Sequence, residues 1–201
     1  MSDIIEEKFQ EWVQGKNSKD ARIAIYNRIR DIPYAITPDL NDSTEYTRIF
    51  EGNRGSCTPK HFLLCNMFQR LGLQVLYAVY PYKWEEFEDI YSPGLKKLAR
   101  EMPLSYHLAC KVDIEGKLIL VDATLDPALE ALGLPVNMKW DGISDTLLPV
   151  NPCGEVQLYH PSEAYLPQME EPDERALNFY NEFNAWLETV RTEISGKSST
   201  F

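Results

Sequence analysis

The sequence predicts an α+β domain from three observations. Apolar residues recur at helical spacing between residues 4 and 29 and again after residue 58. Two runs rich in β-branched and apolar residues flank a short turn that contains glycine, which is the pattern of an antiparallel hairpin. A long amphipathic stretch near the C-terminus predicts a final helix. Helices and an antiparallel sheet in separate parts of the chain define this class.

The composition is that of an ordinary globular protein with an acidic surface. The chain has 201 residues, of which 44% are hydrophobic and 25% charged, so one sizeable core is expected. A net charge of -11 repels phosphate backbones, and nucleic acid is therefore not expected as a partner. No run approaches the roughly 18 to 20 consecutive apolar residues of a membrane span. The acidic start of the chain does not resemble a signal peptide, so we expect a cytoplasmic protein without a membrane partner and with reduced cysteines.

The N-terminal region predicts two helices and a loop. Apolar residues over 4–13 share one helical face, and the pattern breaks at Gly15. Ser18 is placed to cap a second helix, which ends before Pro33 because the residue before a proline avoids helical backbone angles. Turn-forming residues over 37–43 predict a loop.

The third predicted helix begins directly after a cysteine. Gly55-Ser56-Cys57 forms a turn ahead of an amphipathic stretch from about Thr58 to Leu71, and Gly72 suits its C-terminal end. Backbone N–H groups at a helix N-terminus lack partners, and the helix dipole is positive there. A thiolate at Cys57 would therefore be stabilised relative to the thiol, which makes Cys57 a candidate nucleophile.

Three strands are predicted after this helix. Residues 74–80 are rich in aromatic and β-branched side chains, and the runs 105–112 and 117–123 are separated by Asp113-Ile114-Glu115-Gly116. Glycine in so short a connection favours a tight hairpin. Prolines and glycines recur between residues 134 and 167, so only short strands are expected there.

The C-terminal part predicts one long helix. Asp173 is placed to cap it, and apolar residues at helical spacing from Leu177 to Ile194 form its buried face. Gly196 is expected to end it. The predicted organisation is a single domain over residues 1–195, with its core at about 20–130, a C-terminal extension and helix at 131–195, and a flexible tail at 196–201.

His107 is the candidate base for Cys57. It lies on the first strand of the hairpin, and Asp122 lies on the partner strand. A two-residue loop of Glu115-Gly116 would make the two side chains diagonal neighbours on one face, and a loop of Ile114-Glu115 would place them directly opposite. A three-residue loop would put Asp122 on the other face unless a bulge intervened.

Thiol chemistry near neutral pH requires these three residue types. A neutral thiol is a weak nucleophile, whereas a Cys–His pair holds a thiolate beside an imidazolium that later returns the proton to a leaving amine. A carboxylate orients the ring and stabilises its charge. The backbone N–H of Cys57 is one candidate donor to an acyl oxyanion. Asn53, Tyr46 and Trp84 are candidates for the second donor.

Together these motifs resemble the transglutaminase-like cysteine proteins of the papain-like class. The matching pieces are Gly55-Ser56-Cys57 before an apolar helix that ends Arg70-Leu71-Gly72-Leu73, Tyr106-His107 entering a strand, and Val121-Asp122-Ala123-Thr124 in the next strand. The resemblance covers about residues 20–130. It implies a core in which a cysteine-bearing helix packs on an antiparallel sheet, flanked here by N- and C-terminal helices. It also implies that Cys57 is the nucleophile, His107 the general base and acid, and Asp122 the orienting carboxylate.

The resemblance implies cysteine-dependent acyl transfer or amide hydrolysis through a thioester, as in a transglutaminase-like amidase, peptidase or deamidase. The expected substrate is a peptide, a protein or a small amide, and this route needs no cofactor and no metal. Members usually carry an aromatic residue shortly after the histidine and a tryptophan ahead of the aspartate. Here Leu108-Ala109-Cys110 and Leu118-Ile119-Leu120 occupy those places, which leaves the substrate class open.

Two other functions remain open from the sequence. One is a non-enzymatic module that keeps the cleft and binds a peptide or a protein. The other is an acyltransferase, because Arg54-Gly55-Ser56-Cys57 is similar to the nucleophile motif of arylamine N-acetyltransferases, although it lacks one glycine of that motif.

Helical spacing also brings a second histidine close to Cys57. Cys57, His61 and Cys65 fall at i, i+4 and i+8 on one helix face. His61 could replace His107 as the base, because helical side chains point toward the N-terminus. The same three residues with Cys110 could form a zinc site, although paired knuckle spacing is missing and Cys65 fits a core position better.

Overall fold

Helices and strands occupy separate stretches of the chain, which confirms the predicted α+β class. The computed structural model describes residues 4–163 and 172–198. Within them the helices are α1 (Ile4–Val13), α2 (Ser18–Arg30), α3 (Ile49–Gly52), α4 (Cys57–Arg70), α5 (Pro93–Arg100) and α6 (Glu174–Ser198). The strands are β1 (Val75–Tyr82), β2 (Ser105–Ile114), β3 (Lys117–Val121) and β4 (Gln157–Tyr159), and short 3₁₀ turns lie at Pro38–Leu40, Tyr46–Arg48, Trp84–Ile90 and Pro127–Leu132.

The four strands form one antiparallel sheet in the order β3-β2-β1-β4. Ile114 pairs with Lys117, so the hairpin loop is Glu115-Gly116, the first of the two registers considered above. Both loop residues have positive φ, 55° at Glu115 and 79° at Gly116, as a type I′ turn requires. Because Cys110 pairs with Val121, Asp122 follows the end of β3 as the diagonal neighbour of His107.

Alternate residues of the central strands pack into two separate cores. Val79 and Leu108 join the core that contains side chains of α4. The helix α4 also packs against α1 and α2. Ala78 and Ala109 join a second core that contains side chains of α6. The sheet therefore separates the cysteine helix from the C-terminal helix.

Two helix boundaries differ from the sequence prediction. Asn17, not Ser18, caps α2, because its side-chain oxygen accepts a hydrogen bond from the Asp20 N–H at 2.9 Å. The prediction that Gly196 ends the last helix is also wrong. The helix α6 continues to Ser198, and Gly196 does not adopt the positive φ of a glycine cap.

Capping residues mark the starts of α5 and α6. Asp173 caps α6 as predicted, since its carboxylate accepts from the Ala176 N–H at 2.8 Å. The helix α5 was missed, although Ser92 accepts from the Leu95 N–H at 3.3 Å and Pro93 occupies the first helical position. The last residues of the predicted tail, 199–201, lie outside the described residues. Within the described ranges, every helix is too short or too polar to cross a membrane.

Candidate active site

Cys57 is the first residue of α4, at the end of a tightly packed turn. Ser56 precedes it with an extended backbone, φ -79° and ψ -177°, and forms no side-chain cap. A Cβ at Gly55 would lie 2.6 Å from the buried Ile49 side chain, so any larger residue there would have to displace that side chain. Cys57 therefore stands at a helix N-terminus without a competing cap.

The turn before Cys57 is held by an extended segment that follows α2. The Gly55 N–H donates to the Pro33 carbonyl at 3.1 Å, and the Ala35 N–H donates to the Gly55 carbonyl at 3.3 Å. Tyr34 thereby forms a parallel bridge with Gly55. This backbone pairing fixes the position of the thiol from its N-terminal side.

The structure brings together the three residues singled out from the sequence. The Nε2 atom of His107 lies 2.6 Å from Oδ2 of Asp122, and both side chains are almost fully buried. The other oxygen of Asp122 accepts from the Thr124 N–H at 2.9 Å, and Thr146 Oγ1 accepts from the Asp122 backbone N–H at 2.8 Å. Because Nε2 is taken by Asp122, Nδ1 is the ring nitrogen that remains available to Cys57, whose charge helps to raise the pKa of His107.

The charges of the three groups support one another. Burial alone would lower the pKa of His107, but the charges of Asp122 and Cys57, with hydrogen bonds to both, raise it to about 10. Burial alone would raise the pKa of Cys57, but the His107 charge and hydrogen bond, the Leu108 N–H and the Thr58 hydroxyl lower it. Burial alone would raise the pKa of Asp122, but the charges of His107 and His61, the hydrogen bond to His107 and the Thr124 N–H lower it. The arrangement favours a thiolate, an imidazolium and a carboxylate.

His61 occupies a different environment from the one proposed for a base or a zinc ligand. Its Nδ1–H donates to the Cys57 carbonyl at 2.8 Å, and its Nε2 accepts from the Ala123 N–H at 3.1 Å. Burial lowers the pKa of His61 to about 4, so the ring is neutral at pH 7. Both ring nitrogens serve the backbone and neither reaches the sulfur, while Cys65 is buried in the core beside Cys110. His61 links the start of α4 to the residue after Asp122.

Lys60 forms a second buried link behind the site. Its ammonium donates to the carbonyls of Arg30 at 3.0 Å, Ile32 at 2.8 Å and Thr124 at 2.7 Å. Burial lowers the pKa of Lys60 to about 7. The side chain links α4 to the end of α2 and to the segment after β3. These contacts hold together the parts of the chain that carry Cys57 and Asp122.

The C-terminal helix anchors the segment that pairs with the cysteine turn. Asn184 accepts from the Ile36 N–H at 2.8 Å and donates to the Ile36 carbonyl at 2.9 Å. Arg191 donates to the Tyr34 carbonyl at 2.8 Å and to Asp126 at 2.7 Å, and Asp126 accepts from the Tyr34 N–H at 2.7 Å. Residues far from the predicted core therefore position the backbone beside Cys57.

Cys57 opens onto a cleft of 710 Å³. Most of its lining is aromatic or aliphatic, and Asp42 and Asp173 are its only charged members among the described residues. The lining residues are Tyr34, Ile36, Pro38, Asn41, Asp42, Ser56, Cys57, Thr58, Val79, Tyr82, Trp84, Pro103, Leu104, Ser105, Tyr106, Leu108, Pro172, Asp173, Ala176 and Tyr180. The start of α6 thus forms part of the wall.

None of the three candidate second donors offers an open donor to this cleft. Asn53 is exposed at the end of α3 and Tyr46 packs on Phe62 in the core, and neither lines the cleft. Trp84 lines it, but its indole nitrogen is sealed from solvent. Tyr34 and Tyr82, which are not among those candidates, line the cleft instead.

Comparisons with known proteins leave the family open. No protein-family model matches the chain, and no curated protein matches it. Among solved structures, the chain is similar to one described as "a Putative Cysteine Protease from Cytophaga hutchinsonii", with 20% sequence identity and a TM-score of 0.40. That likeness covers 60% of this chain and only 36% of the other, and it is too slight to assign a family.

Proposed function

We propose that the protein is a cysteine-dependent amidase or acyltransferase in which Cys57, His107 and Asp122 form the catalytic triad. The main support is the 2.6 Å contact between His107 and Asp122 beside a thiol whose pKa is lowered. That thiol stands at a helix N-terminus and opens onto a cleft large enough for a peptide or a small amide.

In the acylation step the Cys57 thiolate attacks the carbonyl carbon of an amide. The sulfur–carbon bond forms while the carbonyl electron pair moves onto oxygen, which gives a tetrahedral oxyanion. Collapse of the oxyanion restores the carbonyl and breaks the carbon–nitrogen bond. The leaving amine takes the proton from the His107 imidazolium, so the products are a free amine and a thioester on Cys57.

The thioester is then transferred to water or to an amine. Neutral His107 accepts a proton from this nucleophile as it bonds to the thioester carbon, and the carbon–sulfur bond breaks to regenerate the thiolate. Asp122 holds the ring in one tautomer throughout and stabilises the imidazolium in both steps.

The charge of the cleft supports an amide donor over a coenzyme A thioester. Hydrogen bonds from Thr44 lower the pKa of Asp42, and those from Ala176 and Arg175 lower the pKa of Asp173, so both carboxylates are ionised at pH 7. No Lys or Arg lines the cleft in the described part of the chain. A donor that carries phosphates would meet only like charge there. This disfavours the acetyltransferase-like alternative and supports a neutral or cationic acyl donor.

Thiol alkylation tests the proposal because the protein contains its own control. Cys153 is exposed, whereas Cys65 and Cys110 are buried. With iodoacetamide we expect Cys57 to react fastest and with a pH midpoint well below the ordinary thiol value of about 8.5. His107→Gln should raise the midpoint of Cys57 and leave that of Cys153 unchanged. Equal rates and midpoints for Cys57 and Cys153 would instead favour a binding module.

A further inference from the structure

Two tyrosine hydroxyls in the cleft have no hydrogen-bond partner within residues 4–163 and 172–198. Tyr34 is 8% exposed and Tyr82 is 6% exposed, and both line the cleft that contains Cys57. Neither hydroxyl is among the polar atoms sealed from solvent, unlike the indole nitrogen of Trp84. A buried hydroxyl normally finds a partner. These two keep accessible surface and an unused donor.

The two tyrosines come from different parts of the chain beside the thiol. Tyr34 lies on the segment that bridges to Gly55, two residues before Cys57. Tyr82 pairs with Ser105 at the end of β1, and its ring centroid lies 6.5 Å from that of His107. Burial raises the pKa of both phenols well above its ordinary value, and the charge of Cys57 adds to the rise, after the charge of Tyr34 in the case of Tyr82. Both hydroxyls therefore stay protonated in the cleft that contains the sulfur.

Both rings are held rigidly before any substrate binds. Tyr34 packs edge-on against Phe183 with centroids 6.2 Å apart, and its backbone is fixed by Asp126 and Arg191. Tyr82 packs edge-on against Trp84 with centroids 5.2 Å apart. Donors that are already oriented stabilise a developing charge without the cost of reorganisation.

We infer that the hydroxyls of Tyr34 and Tyr82, together with the Cys57 backbone N–H, form the oxyanion site of this cleft. They donate to the carbonyl oxygen of the acyl group as it becomes negatively charged. This inference rests on the proposed function, because it requires acyl chemistry at Cys57. It supplies the second donor that the sequence left unassigned, and it makes Tyr34 and Tyr82 catalytic residues, since they touch the reacting oxygen.

Acylation and alkylation of the same sulfur separate this role from any general effect on the thiol. With p-nitrophenyl acetate, the sulfur bonds to the acetyl carbon through an oxyanion, and p-nitrophenolate leaves with the electron pair. With iodoacetamide, the sulfur bonds to the saturated CH₂ carbon, iodide leaves with the electron pair of the carbon–iodine bond, and no oxyanion forms. In Y34F/Y82F we expect the ratio of the acylation rate to the alkylation rate to fall by about 100-fold, and in each single variant by about 10-fold. A fall of less than about 5-fold in the double variant would overturn the inference.

Tyr106→Phe is the matched control, because Tyr106 also lines the cleft and lies on β2. Its acylation-to-alkylation ratio should equal that of the wild type, and an equal loss there would overturn the assignment to Tyr34 and Tyr82. Removal of an unpartnered hydroxyl leaves no orphaned group, so the variants should unfold at the same urea concentration as the wild type. If wild-type Cys57 is alkylated but never acylated, the proposed function itself fails.

Discussion

The protein has two buried histidines whose rings lie 6.1 Å apart and whose protonation is opposite. His107 bonds the Asp122 carboxylate. Burial would lower its pKa, but the charges of Asp122 and Cys57 raise it to about 10. His61 bonds a backbone carbonyl and a backbone N–H, and burial lowers its pKa to about 4. Both are shielded from solvent, so burial does not distinguish them.

The difference shows that the bonding partners decide the role of each ring. Charged partners keep His107 positively charged inside the protein, where it can stabilise a thiolate and later release a proton. Neutral partners keep His61 uncharged, and a ring with both nitrogens occupied can only position the groups that it touches. His61 is closer to Cys57 in sequence, yet His107 of the hairpin is the histidine whose charge lowers the pKa of Cys57.

The largest expected effect comes from removal of the Asp122 charge, which raises the pKa of His107. In Asp122→Asn, the pKa of His107 should fall, because no carboxylate then opposes the effect of burial. A neutral His107 no longer stabilises the Cys57 thiolate. We expect the rate of acylation by p-nitrophenyl acetate to fall by about 10³ to 10⁴ and the alkylation midpoint of Cys57 to rise. Cys153 serves as the internal reference. A rate within about tenfold of the wild type would contradict the proposed role of Asp122.

Removal of the His61 ring should affect stability more than the pH midpoint of Cys57. His61→Ala leaves the Ala123 N–H without a partner in a dry interior and removes the ring's bond to the Cys57 carbonyl, which still accepts a helical hydrogen bond from the backbone of residue 61. The change should cost about 1 to 3 kcal/mol of unfolding free energy. His61→Gln should recover part of this loss by accepting from Ala123. Urea unfolding gives both values, and His160→Ala, at an exposed site, is the control. If His61→Ala raised the Cys57 midpoint as much as His107→Gln does, His61 would have to be reconsidered as the base.

The two histidines should also give stability slopes of opposite sign. The pKa of His61 is lowered from 6.5 to about 4. As the pH falls, His61 therefore binds a proton in the unfolded protein before it does so in the folded protein. Relative to His61→Gln, the wild type should lose about 3 kcal/mol of unfolding free energy between pH 6.5 and pH 4. The pKa of His107 is raised, so its contribution is complete below pH 6.5 and is lost as the pH rises through about 10. Urea unfolding against pH checks both slopes, and identical curves for wild type and His61→Gln would contradict the first.

The smallest expected effect concerns the hairpin that brings His107 and Asp122 together. Glu115 adopts a φ of 55°, which asparagine tolerates better than glutamate in a type I′ turn. Glu115→Asn should raise the unfolding free energy by about 0.5 to 1 kcal/mol and leave the acylation rate unchanged. Glu155→Asn, at another exposed position, should change neither quantity. A changed acylation rate in Glu115→Asn would mean that the turn does more than set the register.

The parts of the site that local sequence signals specify were predictable. Cys57 follows a glycine turn at a helix start, and the glycine in the hairpin limits the register that makes His107 and Asp122 neighbours. Tyr34 and Lys60 could not be assigned in the same way. Tyr34 reaches the cleft only because Gly55 and α6 hold its backbone, and Lys60 is buried only because three distant carbonyls surround it.

The two wrong predictions of helix boundaries, at the start of α2 and the end of α6, also arise from geometry beyond the local sequence. Asn17 and Ser18 are adjacent and both can cap, and the choice depends on which side chain reaches the free N–H of Asp20. Gly196 resembles a helix terminator, but a glycine ends a helix only when the chain turns into the left-handed conformation after it. Here it does not. Both outcomes depend on geometry that residue identity alone does not specify.

The contact of α6 with the segment beside Cys57 has a consequence for the order in which the site is built. During synthesis Cys57, His107 and Asp122 all leave the ribosome before residues 174–198. Phe183 and Leu187 of α6 line the same small cavity as His107, and Asn184 fixes the backbone of Ile36. The growing chain therefore carries all three residues of the proposed triad while the cleft still lacks one wall. The cleft beside Cys57 takes its final shape only when α6 docks.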